Sequence, residues 1–132
     1  MTGGDGGSHA LSMKSIEIID ENGSHSNKST ELPWEFYNHC SIKLNQTHAM
    51  LTGGYFSGSK TLIVNLNNFE TTGGPKFNVS NRESHACSKI SHPNGTNYII
   101  VAGGYGINYD YNESTEILDV DNINRGWYQG KI

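Results

Sequence analysis

Apolar residues along this chain fall in short runs, rich in Ile, Val, Leu and Tyr and bounded by Asn, Gly, Asp and Ser. The longest is Tyr98-Ile99-Ile100-Val101-Ala102, and Ala49-Met50-Leu51-Thr52 and Lys60-Thr61-Leu62-Ile63-Val64-Asn65 are similar. Branched and aromatic side chains fit a pleated surface, and the bounding residues fit turns, so each run predicts a β-strand. No window shows a helical period, so helix is expected to be nearly absent. Asn94-Gly95, between His85–Ile90 and Tyr98–Ala102, predicts a hairpin with a tight primed turn, which requires positive φ. Asn45-Gln46 takes the matching place ahead of Ala49–Thr52.

The runs repeat. Gly-Gly pairs stand at Gly3-Gly4, Gly53-Gly54 and Gly103-Gly104, spaced by 50 residues each time, and the second and third each follow an apolar strand. A further pair, Gly73-Gly74, is off this frame. Ser15-Ile16-Glu17-Ile18-Ile19-Asp20 reads almost residue for residue as Ser114-Thr115-Glu116-Ile117-Leu118-Asp119, an offset of 99. Asn38-His39-Cys40-Ser41-Ile42 likewise parallels Ser84-His85-Ala86-Cys87-Ser88.

In this form the chain resembles the kelch repeat. The pattern is carried by Arg82-Glu83-Ser84-His85-Ala86, Ile99-Ile100-Val101-Ala102-Gly103-Gly104, Glu116-Ile117-Leu118-Asp119 and Trp127. Two positions depart from it: Phe36 or Tyr37 replaces the arginine of the second copy, and the earlier outer strands lack the tryptophan. The resemblance implies an all-β fold, a kelch-type β-propeller fragment of four-stranded antiparallel blades. Residues 1–32 would form a partial blade, 36–77 a complete one, and 83–132 a third with its outer strand truncated. Propellers carry about 4–8 blades, so an arc of nearly three implies remaining blades elsewhere in the same chain, or self-association to complete the ring. His39 and His85 are expected to hydrogen-bond a neighbouring blade from the innermost strand rather than act as ligands. Arg82 is expected to donate to carbonyls between blades.

Charge narrows the function classes. Nine basic and 13 acidic side chains give a net charge of −4, which argues against a nucleic-acid partner. No run approaches the length of a membrane helix. Met1-Thr2-Gly3-Gly4-Asp5 has neither the basic nor the apolar region of a secretory signal. Two cysteines and six dispersed histidines lack the tight spacing of a zinc site, so no metal is expected. There is no nucleophile elbow, phosphate loop or dinucleotide fingerprint. Asp5, Asp20, Asp110, Asp119 and Asp121 read as solvated turn residues. No catalytic residue and no cofactor is therefore assigned. Some oxidases share the kelch-type propeller, but no motif here matches their copper ligands.

A non-catalytic scaffold that binds another protein is the expected function; the alternative is a fragment of a propeller enzyme, oxidase-like or sugar-processing, with its active residues outside this chain. The candidate binding face is the loops after Gly-Gly, with Tyr55, Phe56 and Lys60 in one and Tyr105, Tyr109, Asp110 and Tyr111 in the other. Tyrosine offers stiff, half-polar contact area and is enriched at interfaces. Tyr55 and Tyr105 have packing under their own loops as the competing role, whereas Tyr109 and Tyr111 are expected to be exposed. Six glycosylation sequons begin at Asn22, Asn27, Asn45, Asn78, Asn94 and Asn112, all in expected loops. Fifteen Asn with 23 Ser plus Thr would give roughly 2.6 by chance. Leu32-Pro33, His39-Cys40 and Arg82–Cys87 are similar to kelch-type repeats of secreted proteins, which points to an extracellular setting, the alternative being the cytoplasm of the commoner kelch adaptors. In an oxidising compartment Cys40 and Cys87, at near-equivalent places in successive blades, are expected to be oxidised, and a bond to one another is one outcome.

Overall fold

Two four-stranded antiparallel sheets and a short hairpin make up the regular structure in the computed structural model, which describes residues 14–130 other than 20, 28–30, 56 and 80. Gly3, Gly4 and Phe56 lie outside the described residues. The hairpin pairs β1 (Glu17–Ile19) with β2 (His25–Asn27). The next sheet runs β3 (Cys40–Lys43), β4 (His48–Thr52), β5 (Thr61–Asn65) and β6 (Thr71–Gly73), each strand beside its sequence neighbours. The last sheet repeats that order with β7 (Ala86–Ser91), β8 (Asn97–Ala102), β9 (Thr115–Asp119) and β10 (Tyr128–Gly130). Among the described residues no helix is long and apolar enough to cross a membrane.

Strand alternation sets what each face buries. Ile42, Met50 and Ile63 lie in register on one face of β3–β5, and Leu51 and Leu62 on the other. The first face packs against Ile99, Val101 and Leu118 of the last sheet, with Leu44, Phe77 and Trp127 filling the edges. The second packs against Ile16, Leu32 and Phe36. Because β4 and β5 are covered on both faces, their runs are nearly continuously apolar. Met50, Ile99, Val101 and Leu118 are all fully buried, and each such side chain contributes about 1.5–3 kcal/mol. On the far side of the last sheet, Ile100, Ile117 and Tyr128 form a row, and Ile90 and Tyr128 remain well exposed.

Cys40 and Cys87 form a disulfide between β3 and β7, with their Cα atoms 6.1 Å apart. Cys40 pairs with Thr52 and Ala86 with Ala102, so the position equivalent to Cys40 is Ala86 and Cys87 lies one residue further on. Successive strand residues point to opposite faces. Equivalent residues of two stacked sheets would point the same way; the one-residue offset turns the sulfurs towards each other.

Several expectations change. Asn94-Gly95 does not form a primed turn: only Gly95 has positive φ (90°). The Gly95 N–H donates to His92 O and the His92 N–H to Thr96 O, a three-residue loop closed by a glycine bulge. Trp127, expected in the outer strand, stands just ahead of it; that strand is β10, three residues long. Between β9 and β10 lies a 3-10 segment, Val120–Arg125, capped by the Asp119 carboxylate accepting from the Asp121 N–H at 2.9 Å. Asn27 ends β2 and is not a loop residue.

Candidate functional site

The two Gly-Gly pairs build the same turn twice. Gly53 and Gly54 have φ of 58° and 110°, and Gly103 and Gly104 have 69° and 88°, a region that L side chains rarely enter. Close approach matters as much: a Cβ on Gly54 would sit 2.7 Å from Tyr37 O. The Tyr55 N–H donates to Tyr37 O at 2.8 Å, and in the next copy the Tyr105 N–H donates to Glu83 O at 2.9 Å. Asn38 and Ser84, each following the acceptor residue, also share positive φ (52° and 51°). Tyr37 and Glu83 therefore occupy one repeat position, and the tyrosines after Gly-Gly emerge at one end of the stacked sheets.

There the rings meet. The Tyr109 hydroxyl donates to the Tyr55 hydroxyl at 3.0 Å, and Tyr37 stands edge-on to Tyr55 with centroids 6.1 Å apart. Tyr55 and Tyr109 are 45% and 61% exposed, so these contacts tie together a surface and not a core. Two adjoining grooves, about 270 and 370 Å³, both include Tyr55, Glu83, Tyr105 and Tyr109 in their walls. Burial raises the Glu83 carboxyl above the usual carboxylate range, with a hydrogen bond to the Asn38 side chain acting against it. The Tyr109 phenol is raised by its bond to Tyr55, with smaller effects from burial and from the charges of Tyr55, Glu83 and Tyr37.

Beneath the grooves the loops are anchored by buried polar groups. The Arg82 guanidinium donates to Gly103 O (3.0 Å), Ser114 O (2.9 Å) and Ser114 Oγ (2.6 Å), and pairs with Glu116 at 3.3 Å. These hydrogen-bond partners all belong to the last sheet and its β8–β9 loop, so the Arg82 side chain hydrogen-bonds its own sheet; towards the neighbour its guanidinium carbon lies 5.8 Å from the Phe77 ring centroid. The Glu116 carboxylate draws it inward. The Arg82 backbone supplies the hydrogen bonds that cross, its carbonyl accepting from the Gly54 N–H at 2.7 Å and its N–H donating to Gly58 O at 3.3 Å. His85 does cross: its Nε2 lies 2.9 Å from Thr52 Oγ1, and its Nδ1 is buried without a partner among the described residues. Burial, then Arg82 and His39, lower the His85 pKa to about 4. His39 is half-buried, edge-on to Phe36 at 5.3 Å, and burial lowers its pKa. Both histidines immediately precede β3 and β7 and lie outside the strands proper.

Of the residues singled out on the sequence, Tyr55, Tyr105 and Tyr109 share the grooves. Asp110 and Tyr111 do not; they border a separate depression with Val79 and Glu113, and Tyr111 lies against Tyr105 at 5.3 Å. Lys60 is elsewhere, its Nζ 5.0 Å from the Trp34 ring centroid. Trp127 donates from Nε1 to Pro75 O at 2.8 Å and stands edge-on to Phe77, which makes it a joint between sheets. Sequence reasoning missed Tyr37 and Glu83. The alignment of Asn38 with Ser84 makes the two equivalent, but their place beside Gly-Gly comes from the backbone hydrogen bonds to Tyr55 and Tyr105. Among the described residues no three His, Cys, Asp or Glu side chains are grouped to hold a metal. The grooves offer aromatic faces, phenol hydroxyls and the Glu83 carboxyl. In comparisons with known proteins, no family model matches the chain and no curated protein matches it.

Proposed function

We propose that the chain is a kelch-type β-propeller segment that binds another protein through the tyrosine face and carries out no catalysis. One observation carries the reading: tyrosines 50 residues apart in the sequence, each following a Gly-Gly turn, converge with Tyr109 on one exposed surface. Propeller architecture is supported by the same frame repeated as two four-stranded sheets of identical strand order, stacked through a shared apolar layer. The uncovered row on β8–β10 suits a further sheet, from the same chain or a second copy. The disulfide and the sequons favour an oxidising, extracellular compartment.

The double variant Tyr55→Ala/Tyr109→Ala tests this. Proteins from an extract of the source are captured on the immobilised chain, and affinity is then measured for a purified captured protein. Interface tyrosines of this kind contribute on the order of 2 kcal/mol, about thirtyfold in Kd. The expected result is a melting transition nearly unchanged and binding at least tenfold weaker. Equal binding by the variant, or a large loss of stability with binding intact per folded molecule, overturns the reading.

A further inference from the structure

We propose that the groove between Tyr55, Tyr105 and Tyr109 receives an arginine side chain of the partner protein, its guanidinium seated on the Glu83 carboxylate and stacked against the tyrosine rings. This rests on the protein-binding reading above and names the chemistry that the surface selects.

Glu83 is the observation that carries it. The residue is only 8% exposed, and glutamates are rarely buried to that degree unless paired. Among the described residues no cation pairs with it. The adjacent Arg82 points the other way and is committed to Glu116, Gly103 and Ser114. The Glu83 side chain has a hydrogen bond to the Asn38 side chain, a neutral group that brings no countercharge. Both grooves have Glu83 in their walls.

The surroundings select the shape of the cation. Four tyrosines, Tyr37, Tyr55, Tyr105 and Tyr109, line the larger groove beside Glu83. Aromatic faces attract cations, and a planar guanidinium can lie flat on a ring while its N–H fork meets a carboxylate. An ammonium is a compact, strongly hydrated point charge and uses the rings less well. The net charge of −4 favours the approach of a basic segment.

The test uses the whole chain, isotopically labelled, titrated with three pentapeptides that differ only at the centre: arginine, lysine or citrulline, the neutral isostere. The arginine peptide is expected to give saturable shifts at the Glu83, Tyr105 and Tyr109 amides, with the lysine peptide weaker and the citrulline peptide at least tenfold weaker. Glu83→Gln, with melting checked, is expected to weaken arginine binding at least tenfold. Citrulline binding within twofold of arginine, lysine binding tighter than arginine, or undiminished arginine binding to Glu83→Gln each overturns the proposal. Should Glu83→Gln fail to fold, the arginine-to-citrulline ratio on the unaltered chain decides. A captured partner whose binding falls with Tyr55→Ala/Tyr109→Ala but not with Glu83→Gln leaves the protein-binding reading standing and overturns this one.

Discussion

Replacing Arg82 by methionine removes the cation from the most deeply buried charge pair described. The guanidinium and the Glu116 carboxylate are both fully enclosed, and Arg82 also satisfies Gly103 O, Ser114 O and Ser114 Oγ. Methionine fills much of the volume and supplies none of these donors. Glu116 would keep only the N–H groups of Asn78 and Val79, at 2.6 and 3.0 Å. Breaking a buried pair by deleting one partner costs about 3–5 kcal/mol, because the other charge is left uncompensated. At roughly 4 °C per kcal/mol for a domain of this size, Tm should fall by about 12–20 °C. Adding Glu116→Leu removes the stranded charge, so the two substitutions together should cost less than the sum of their separate effects. Recovery will be incomplete, since the Asn78 and Val79 N–H groups then lose their acceptor at about 1–3 kcal/mol each. Urea unfolding followed by fluorescence of the buried Trp127, run as a double-mutant cycle, measures the coupling directly. A loss below about 1 kcal/mol for Arg82→Met, or additive effects in the cycle, would refute the reasoning.

Two further perturbations follow from the same geometry. Reducing the disulfide frees a loop spanning 47 residues, which on chain entropy should cost about 4 kcal/mol; a urea midpoint unchanged by reductant, or two alkylatable thiols in protein from an oxidising host, would contradict the bond. His85 has a folded pKa of about 4 against the model-peptide 6.5, so the neutral form is the one the fold accepts. Its contribution is intact above pH 6.5, declines as pH falls through that window, and is fully lost below about 4, some 3 kcal/mol in all. His39, also lowered, acts in the same sense, while Glu83, raised by burial, acts in the opposite one. The test is therefore the difference between the wild-type and His85→Gln stability curves across pH 4–7, and parallel curves would defeat it.

Much of the fold was legible because strand formation here is local. The five-residue runs and the 50-residue Gly-Gly frame mark β4, β5, β8 and β9, and the glycines fall where positive φ and close backbone approach require them. What was hidden depends on three-dimensional neighbours. Arg82 could be assigned as a hydrogen-bonding group, but its direction is set by Glu116, 34 residues away. The 3-10 segment arises from an aspartate cap and a glycine at φ 77° that read equally well as an ordinary turn. The primed turn at Asn94-Gly95 failed because Pro93 supplies a further loop residue, which moves the glycine to a bulge position.

The candidate site shows why repeats are read most usefully where they disagree. Gly-Gly, the following tyrosine and the histidine before the first strand are the same in both copies; Gly-Gly and the tyrosine build the turn in each, and His85 joins the sheets through Thr52. Identical backbone then brings Tyr55 and Tyr105 to one end of the stack whatever the partner is. Position 37/83 is different. Its backbone accepts the same hydrogen bond in each copy, yet its side chain is a phenol ring in one and a carboxylate in the other. Architecture constrains the main chain at that position and leaves the side chain free to vary, so the two copies can contribute unlike groups to one groove. A surface of tyrosines alone would bind many partners by area; on the proposed reading the Glu83 carboxylate would add a charge that a complementary group satisfies with the least desolvation penalty. On the proposed binding reading, the selectivity of this face would reside in the residue that breaks the repeat.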